Sequence, residues 1–317
     1  MKRWAPATSR GRRIVLVPVA LVVIVVVAWE APTIPLLTAS SGPKLLFSDA
    51  FAGTTLDSSK WNAYITSRAA NGQPWTVPQS REARGGSRVG CVYAGQYYLP
   101  TQVSVDNGLH LTALRLSTPG WCNQTNSLAT FAWRSGAVST YNHFQFNGGY
   151  VAITMRVPSG VGMWPALWML PGPGGTRGDD YEIDLQEGGF APPSPADETY
   201  AWNLHRGSRT WGGVTNAGVD LSLGHHTYAL NWISGQSMTW YLDGRQISKL
   251  TSKQASIPDE PMELIVDLAV ADPKASGWHP PYDSTTSSPS VMQVSNVQVW
   301  SMPPAHALGS AVSPKRR

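Results

Sequence analysis

The sequence predicts an all-β fold, two antiparallel sheets stacked as a sandwich or jelly roll. Three observations predict it. From residue 45 onward, apolar and polar residues alternate with period two in segment after segment. Two-residue turn signals join neighbouring segments. No long stretch carries the 3.6-residue period of an amphipathic helix. Taken along the chain, VSVDNGLHLTAL (103–114) reads as a hairpin turning at Asn107-Gly108, and YVAITMRVP (150–158) alternates as a single strand. MTWYLDGRQIS (238–248) is a second hairpin, in which Asp243-Gly244 supply the positive-φ residues of a tight turn. In MELIVDLAV (262–270), Met262, Leu264, Val266, Leu268 and Val270 share one face, and Glu263, Ile265, Asp267 and Ala269 share the other. Neither an internal repeat nor a low-complexity linker interrupts 45–303, so one domain is expected there.

Composition narrows the function classes. Of 317 residues, 14% are charged, well below the ~25% usual in soluble domains. The 14 tryptophans suit surfaces on which flat apolar ligands stack. The overall charge of +4 comes from the ends: residues 1–31 hold five basic residues and Glu30, and 315–317 add three basic residues. Removing these from 24 basic and 20 acidic residues leaves 16 and 19, or −3, for the body. A nucleic-acid binder needs a basic face, and the body has no lysine or arginine run, so that class is set aside.

The first 44 residues read as an export signal or signal anchor plus linker. A basic stretch ending in Arg12-Arg13 precedes the apolar run Ile14 to Ala28. That run is shorter than the ~20 residues of a transmembrane helix and fits a signal-peptide core, with an uncleaved anchor as the alternative. The expected location is extracytoplasmic, with membrane contact only through this segment. Residues 304–317 read as a basic disordered tail. Cys91 and Cys122 are the only cysteines; after export they are expected to form one disulfide, with two buried thiols as the alternative. No Cys/His grouping has zinc spacing, and no phosphate-binding glycine loop occurs.

The segment YEIDLQEGG (181–189) puts three carboxylates into six residues. Glu182 and Asp184 share a strand face, but Glu187 comes one residue late for it. One inserted residue, a β-bulge, returns Glu187 to that face. Three acids on one face raise each other's pKa and keep a carboxyl protonated near neutral pH. A retaining glycosidase needs that arrangement, one carboxylate to attack the sugar and one acid to protonate the leaving oxygen. A solvated acidic strand or a calcium site is the alternative on the acids alone.

The flanking residues carry a resemblance. EIDLQE is similar to the ExDxxE motif of family-16 glycoside hydrolases, in the bulged form of the laminarinase-like branch. FSDAFAGTTLDSSKW, GAVSTYNHFQFNGGYVAITMRVPSGVGMWPALWMLP, HTYALNW, MTWYLDGR, PMELIVDLAV and VSNVQVW resemble the family's strands in order, over about 45 to 302. The resemblance implies a jelly roll with a concave substrate cleft. It also implies Glu182 as nucleophile, Asp184 as assisting acid and Glu187 as acid/base. Trp164 and Trp168 resemble cleft tryptophans, and His205 resembles a histidine on the strand beside the catalytic one; packing or a structural hydrogen bond is the alternative for each. Trp202 and Trp278, with Trp75 and Trp211, are weaker subsite candidates. Where relatives commonly read Asn-Leu-Ala-x-Gly-Gly, this chain has DLAVADP, with Asp267 in the asparagine slot. Asn296 stands where many relatives place a calcium-binding aspartate; an amide is the poorer ligand, so no cofactor is expected, a structural calcium being the exception left open. The insert at 79–100 has no readable role.

The expected function is an exported, monomeric, endo-acting hydrolase of β-glucan, β-1,3-linked by resemblance. A non-catalytic glucan-binding protein, a wall-remodelling transglycosylase, and a hydrolase of another polysaccharide such as galactan are the competing readings.

Overall fold

A computed structural model describes residues 42–64, 94–122, 127–172, 181–189, 196–275, 279–305 and 307. The export segment before residue 42, most of the 79–100 insert, Cys91, Trp75, Trp278 and the tail from 308 lie outside the described residues. In chain order the strands are β1 (Leu45–Asp49), β2 (Gln96–Tyr98), β3 (Val103–Val105), β4 (Leu109–Ala113), β5 (Thr118–Cys122) and β6 (Ser127–Phe131). There follow β7 (Trp133–Ser135), β8 (Ala137–Ser139), β9 (Gly149–Arg156), β10 (Met163–Pro171), β11 (Tyr181–Gly188) and β12 (Thr199–Arg206). The last six are β13 (Arg209–Asn216), β14 (His226–Ile233), β15 (Ser237–Leu242), β16 (Arg245–Thr251), β17 (Met262–Val270) and β18 (Ser290–Trp300).

Two antiparallel sheets result, as the alternation predicts. One runs β16-β15-β14-β9-β18-β4-β3, with β1 also on β18; the other runs β13-β12-β11-β10-β17-β8. Both predicted hairpins form: Asp243 and Gly244 have φ of 50° and 76°, and Asn107 has φ of 48°. These left-handed conformations match the right-handed twist of the flanking strands.

The core lies between the sheets. From β14 and β15 come Tyr228, Leu230, Trp232 and Trp240; from β11, β12 and β17 come Ile183, Leu185, Leu204, Leu264 and Val266. Both faces of β17 are buried. Its Met262 to Val270 set enters the main core, while Ile265 and Ala269 belong to small separate clusters with Trp168 and Trp164. The six-stranded sheet therefore has a second, aromatic-covered face away from the sandwich interior.

One pairing departs from the antiparallel expectation. β2 pairs with β7 in parallel, Gln96 opposite Trp133 and Tyr98 opposite Ser135. A parallel pair needs a long connection, and more than thirty residues separate these two strands. The end of the insert is thus a strand. It runs against the edge formed by DLAVADP: Ala94 bridges Ala271, and Gly95 N–H donates to the Val270 carbonyl at 2.7 Å.

Candidate active site

The step of three between Asp184 and Glu187 is a bulge. On β12, Glu182 opposes His205, Asp184 opposes Asn203 and Glu187 opposes Ala201. Leu185 and Gln186 thus share the place opposite Trp202. On β10 the same slip falls between Trp168, opposite Asp184, and Ala166, opposite Glu187. Leu185 enters the core, and Glu182, Asp184 and Glu187 line one pocket on the outer face. A bulge breaks the ladder locally and leaves backbone groups to be satisfied elsewhere. Here Trp240 reaches across from the other sheet, its indole Nε1–H donating to the Asp184 carbonyl at 2.9 Å. The Gln186 amide, turned so that its nitrogen donates to the Pro165 carbonyl (3.1 Å) and its oxygen accepts from Gly188 N–H (2.9 Å), holds the far side.

Each acid has a distinct setting. Asn203 Nδ2 donates to Glu187 Oε2 at 2.8 Å. Asn203 has room because Gly212 lies opposite it; a Cβ there would stand 1.9 Å from Asn203 Oδ1. His205 Nε2 lies 3.0 Å from Asp184 Oδ2 and 3.9 Å from Glu182 Oε1, and its Nδ1 meets Thr210 Oγ1 at 2.8 Å. Which of His205 and Asp184 donates in this contact depends on the imidazole tautomer. Burial, then the neighbouring Asp184 and Glu182, push the Glu187 carboxyl well above its ordinary range. Burial, then Glu182, do the same to Asp184. Glu182 is the more open of the first two acids, its side chain 17% exposed against 3% for Asp184.

Trp164, Ala166 and Trp168 alternate along β10 onto the same face and line this pocket with the acids. Trp164 also stacks on His279, with ring centroids 3.8 Å apart. His205 belongs to the site as a partner of two acids. Trp202 does not face the pocket: β12 turns Ala201, Asn203 and His205 toward the acids and Trp202 the other way, against Trp240 at a centroid distance of 4.9 Å. Trp211, opposite Leu204, likewise packs against the core.

Three residues were not picked out as site residues in the sequence. Asn203 stands two before His205, so strand alternation alone signals it. Tyr98 comes from the insert, and nothing local marks it. Asp267 was noted only as a departure; its carboxylate accepts from Trp168 Nε1 at 2.6 Å and from the Tyr98 hydroxyl. Burial raises its pKa to about 6, with the two hydrogen bonds opposing.

Glu182, Asp184 and His205 also bring ligand atoms within 4.8 Å of one another, a spacing a metal ion could use. A cation there would have to displace the His205–Asp184 hydrogen bond. Asn296, on β18 of the other sheet, pairs with Thr154.

The profile of the glycosyl hydrolases family 16 matches residues 97–286. A glucan endo-1,3-beta-glucosidase A1 of Niallia circulans is 30% identical over 290 residues, 85% of this chain and 39% of its own length. An endo-1,3-1,4-beta-glycanase, EglC, of Rhizobium meliloti (strain 1021) is 27% identical over 62% of this chain and 41% of its own length. The chain thus spans about two fifths of these relatives. Among solved structures, the catalytic domain of an endo-1,3-beta-glucanase (laminarinase) from Thermotoga petrophila RKU-1 shares the fold, with a TM-score of 0.62 at 24% identity over 81% of this chain and 97% of that one. The endo-beta-1,3-glucanase of Pyrococcus furiosus does so with a TM-score of 0.63 at 23% identity, over 81% and 94%. A match over more than half of the sequence, spanning the bulged strand and the strands on either side of it, makes this chain a member of glycosyl hydrolases family 16.

Proposed function

We propose that this chain is an endo-acting, retaining glycoside hydrolase of β-glucan, acting on β-1,3 linkages. The observation that carries the reading is the bulged strand. It turns three carboxylates into one aromatic-lined pocket, one of them buried with its pKa held well above the ordinary range beside a more open partner. Glu187 gives its proton to the glycosidic oxygen as the bond breaks. Glu182 attacks the anomeric carbon to form a covalent glycosyl-enzyme. Glu187, now a carboxylate, takes a proton from the incoming water, which releases the sugar. Asp184, whose pKa is raised by burial and then by Glu182, is held by His205 between the two glutamates and moderates their charge. The linkage follows the names of the similar proteins in Niallia circulans and Rhizobium meliloti.

A panel of defined polysaccharides tests the substrate. Laminarin should yield mixed oligosaccharides, and cellulose and xylan should stay intact. Degradation of a galactan without cleavage of any β-1,3-glucan would remove the linkage and leave the mechanism. Because no step uses a metal, a chelator should leave the rate unchanged.

Trp164 supplies a flat face beside the acids. Such an aromatic contact is worth about 1 kcal/mol beyond its buried area, so Trp164→Ala should lower kcat/KM on laminarin about five- to tenfold. Because Trp164 also packs on His279, the melting temperature should fall too; an unchanged kcat/KM would take Trp164 out of the sugar path.

The reading includes export, supported by the basic and apolar residues before Lys44. A reporter active only in the cytoplasm, fused after Lys44, should stay dark, whereas a bright fusion would reverse the location.

A further inference from the structure

Asp267 is a fourth carboxylate in the pocket and has no part in the mechanism above. On β17 it opposes Ala166, and Ala166 in turn opposes Glu187 on β11. Asp267 and Glu187 therefore flank one methyl group in a single row across three strands, roughly 10 Å apart at the backbone by the usual strand spacing. Ala166, the smallest side chain of the row, lines the same pocket as both acids. Asp267 is 3% exposed, and each of its oxygens accepts one hydrogen bond, Oδ1 from Trp168 and Oδ2 from Tyr98. A carboxylate has about four acceptor positions, so two remain. No lysine or arginine is among the described residues lining the pocket. A negative group fixed here, with acceptor capacity to spare and no cation among the described lining residues, favours a neutral hydroxyl, which can donate a charge-assisted hydrogen bond. It disfavours a second anion, which would face an unscreened like charge.

We propose that Asp267 is a specificity-determining residue of this cleft: held by Tyr98 and Trp168, it accepts a hydrogen bond from a hydroxyl of the sugar bound over Ala166 and turns away glycans that carry a carboxylate or sulfate there. This rests on the hydrolase reading and narrows its substrates to neutral polysaccharides.

Asp267→Asn separates charge from contact. The amide oxygen can still accept from Trp168, and the amide nitrogen can donate to the Tyr98 oxygen, so the clamp survives without the charge. The assay compares kcat/KM on laminarin with kcat/KM on the same polymer carboxymethylated at low density. The wild type should favour the neutral polymer at least about tenfold, and Asp267→Asn should shrink that preference to about threefold or less. Asp267→Ser, which also removes the charge, serves if a melting curve shows the asparagine variant unfolded. An unchanged preference in the folded variants, or none in the wild type, overturns the assignment while leaving the hydrolase reading intact. A wild-type chain that cuts neither polymer overturns both.

Discussion

Glu187→Gln should lower kcat on laminarin by about 10²- to 10⁴-fold, the range expected when a positioned general acid is lost. Glutamine keeps the shape and still accepts from Asn203, so the loss is of the proton and not of the packing. Two further readouts follow from the raised pKa of Glu187. In the wild type, activity should fall as pH rises through that pKa, because the proton needed by the leaving oxygen is gone; this alkaline limb should disappear in the variant. The substitution should change stability in the opposite sense to activity. A buried carboxyl with a raised folded-state pKa holds its proton more tightly when folded, so its contribution is greatest below the ordinary carboxylate range and is lost as pH rises through the folded value. Glu187→Gln should therefore melt higher than the wild type near pH 7, with the gap closing near pH 4. A variant that is less stable at both pH values, with its alkaline limb intact, would move the acid role to another residue.

Glu182→Ala should abolish turnover on laminarin, by about 10³-fold or more, because without the attacking carboxylate no covalent intermediate forms. Azide can then enter the vacated space and attack the anomeric carbon once, giving a glycosyl azide of inverted configuration. Glu187→Ala behaves differently: on a substrate with a good leaving group the intermediate still forms at Glu182, azide intercepts it, and the product keeps the original configuration. Two small substitutions five residues apart on one strand thus give azides of opposite configuration. The same configuration from both, or rescue of neither, would break the division of roles between the two glutamates.

The spacing of the acids was informative because a strand has a strict period of two. A step of three within a run whose apolar residues reach the core can only be accommodated by an inserted residue, and the slip opposite Trp202 is that residue. The same rule read both faces of β17 correctly; Trp164 and Trp168 were picked out by resemblance alone, and alternation along β10 accounts for their sharing the pocket. Applied from His205, it would also have put Asn203 in the site and Trp202 out of it, since one lies two residues away and the other three. What alternation cannot supply is company across the fold. Tyr98 meets Asp267, 169 positions later in the chain, through a parallel strand pair with no turn signal. Trp240 serves the bulge from the opposite sheet, 56 positions from Asp184. Such contacts depend on how β-strands far apart in sequence are stacked, and no local pattern encodes them.

The most direct test of the mechanism is the configuration of the first sugar released. Proton NMR of a β-1,3-glucan oligosaccharide, followed from the moment wild-type enzyme is added, resolves the two anomers before they equilibrate. Glu182 and Glu187 on one bulged strand predict that the β anomer appears first and the α anomer only later by mutarotation. Initial release of the α anomer would mean a single displacement by water and would contradict a covalent intermediate at Glu182.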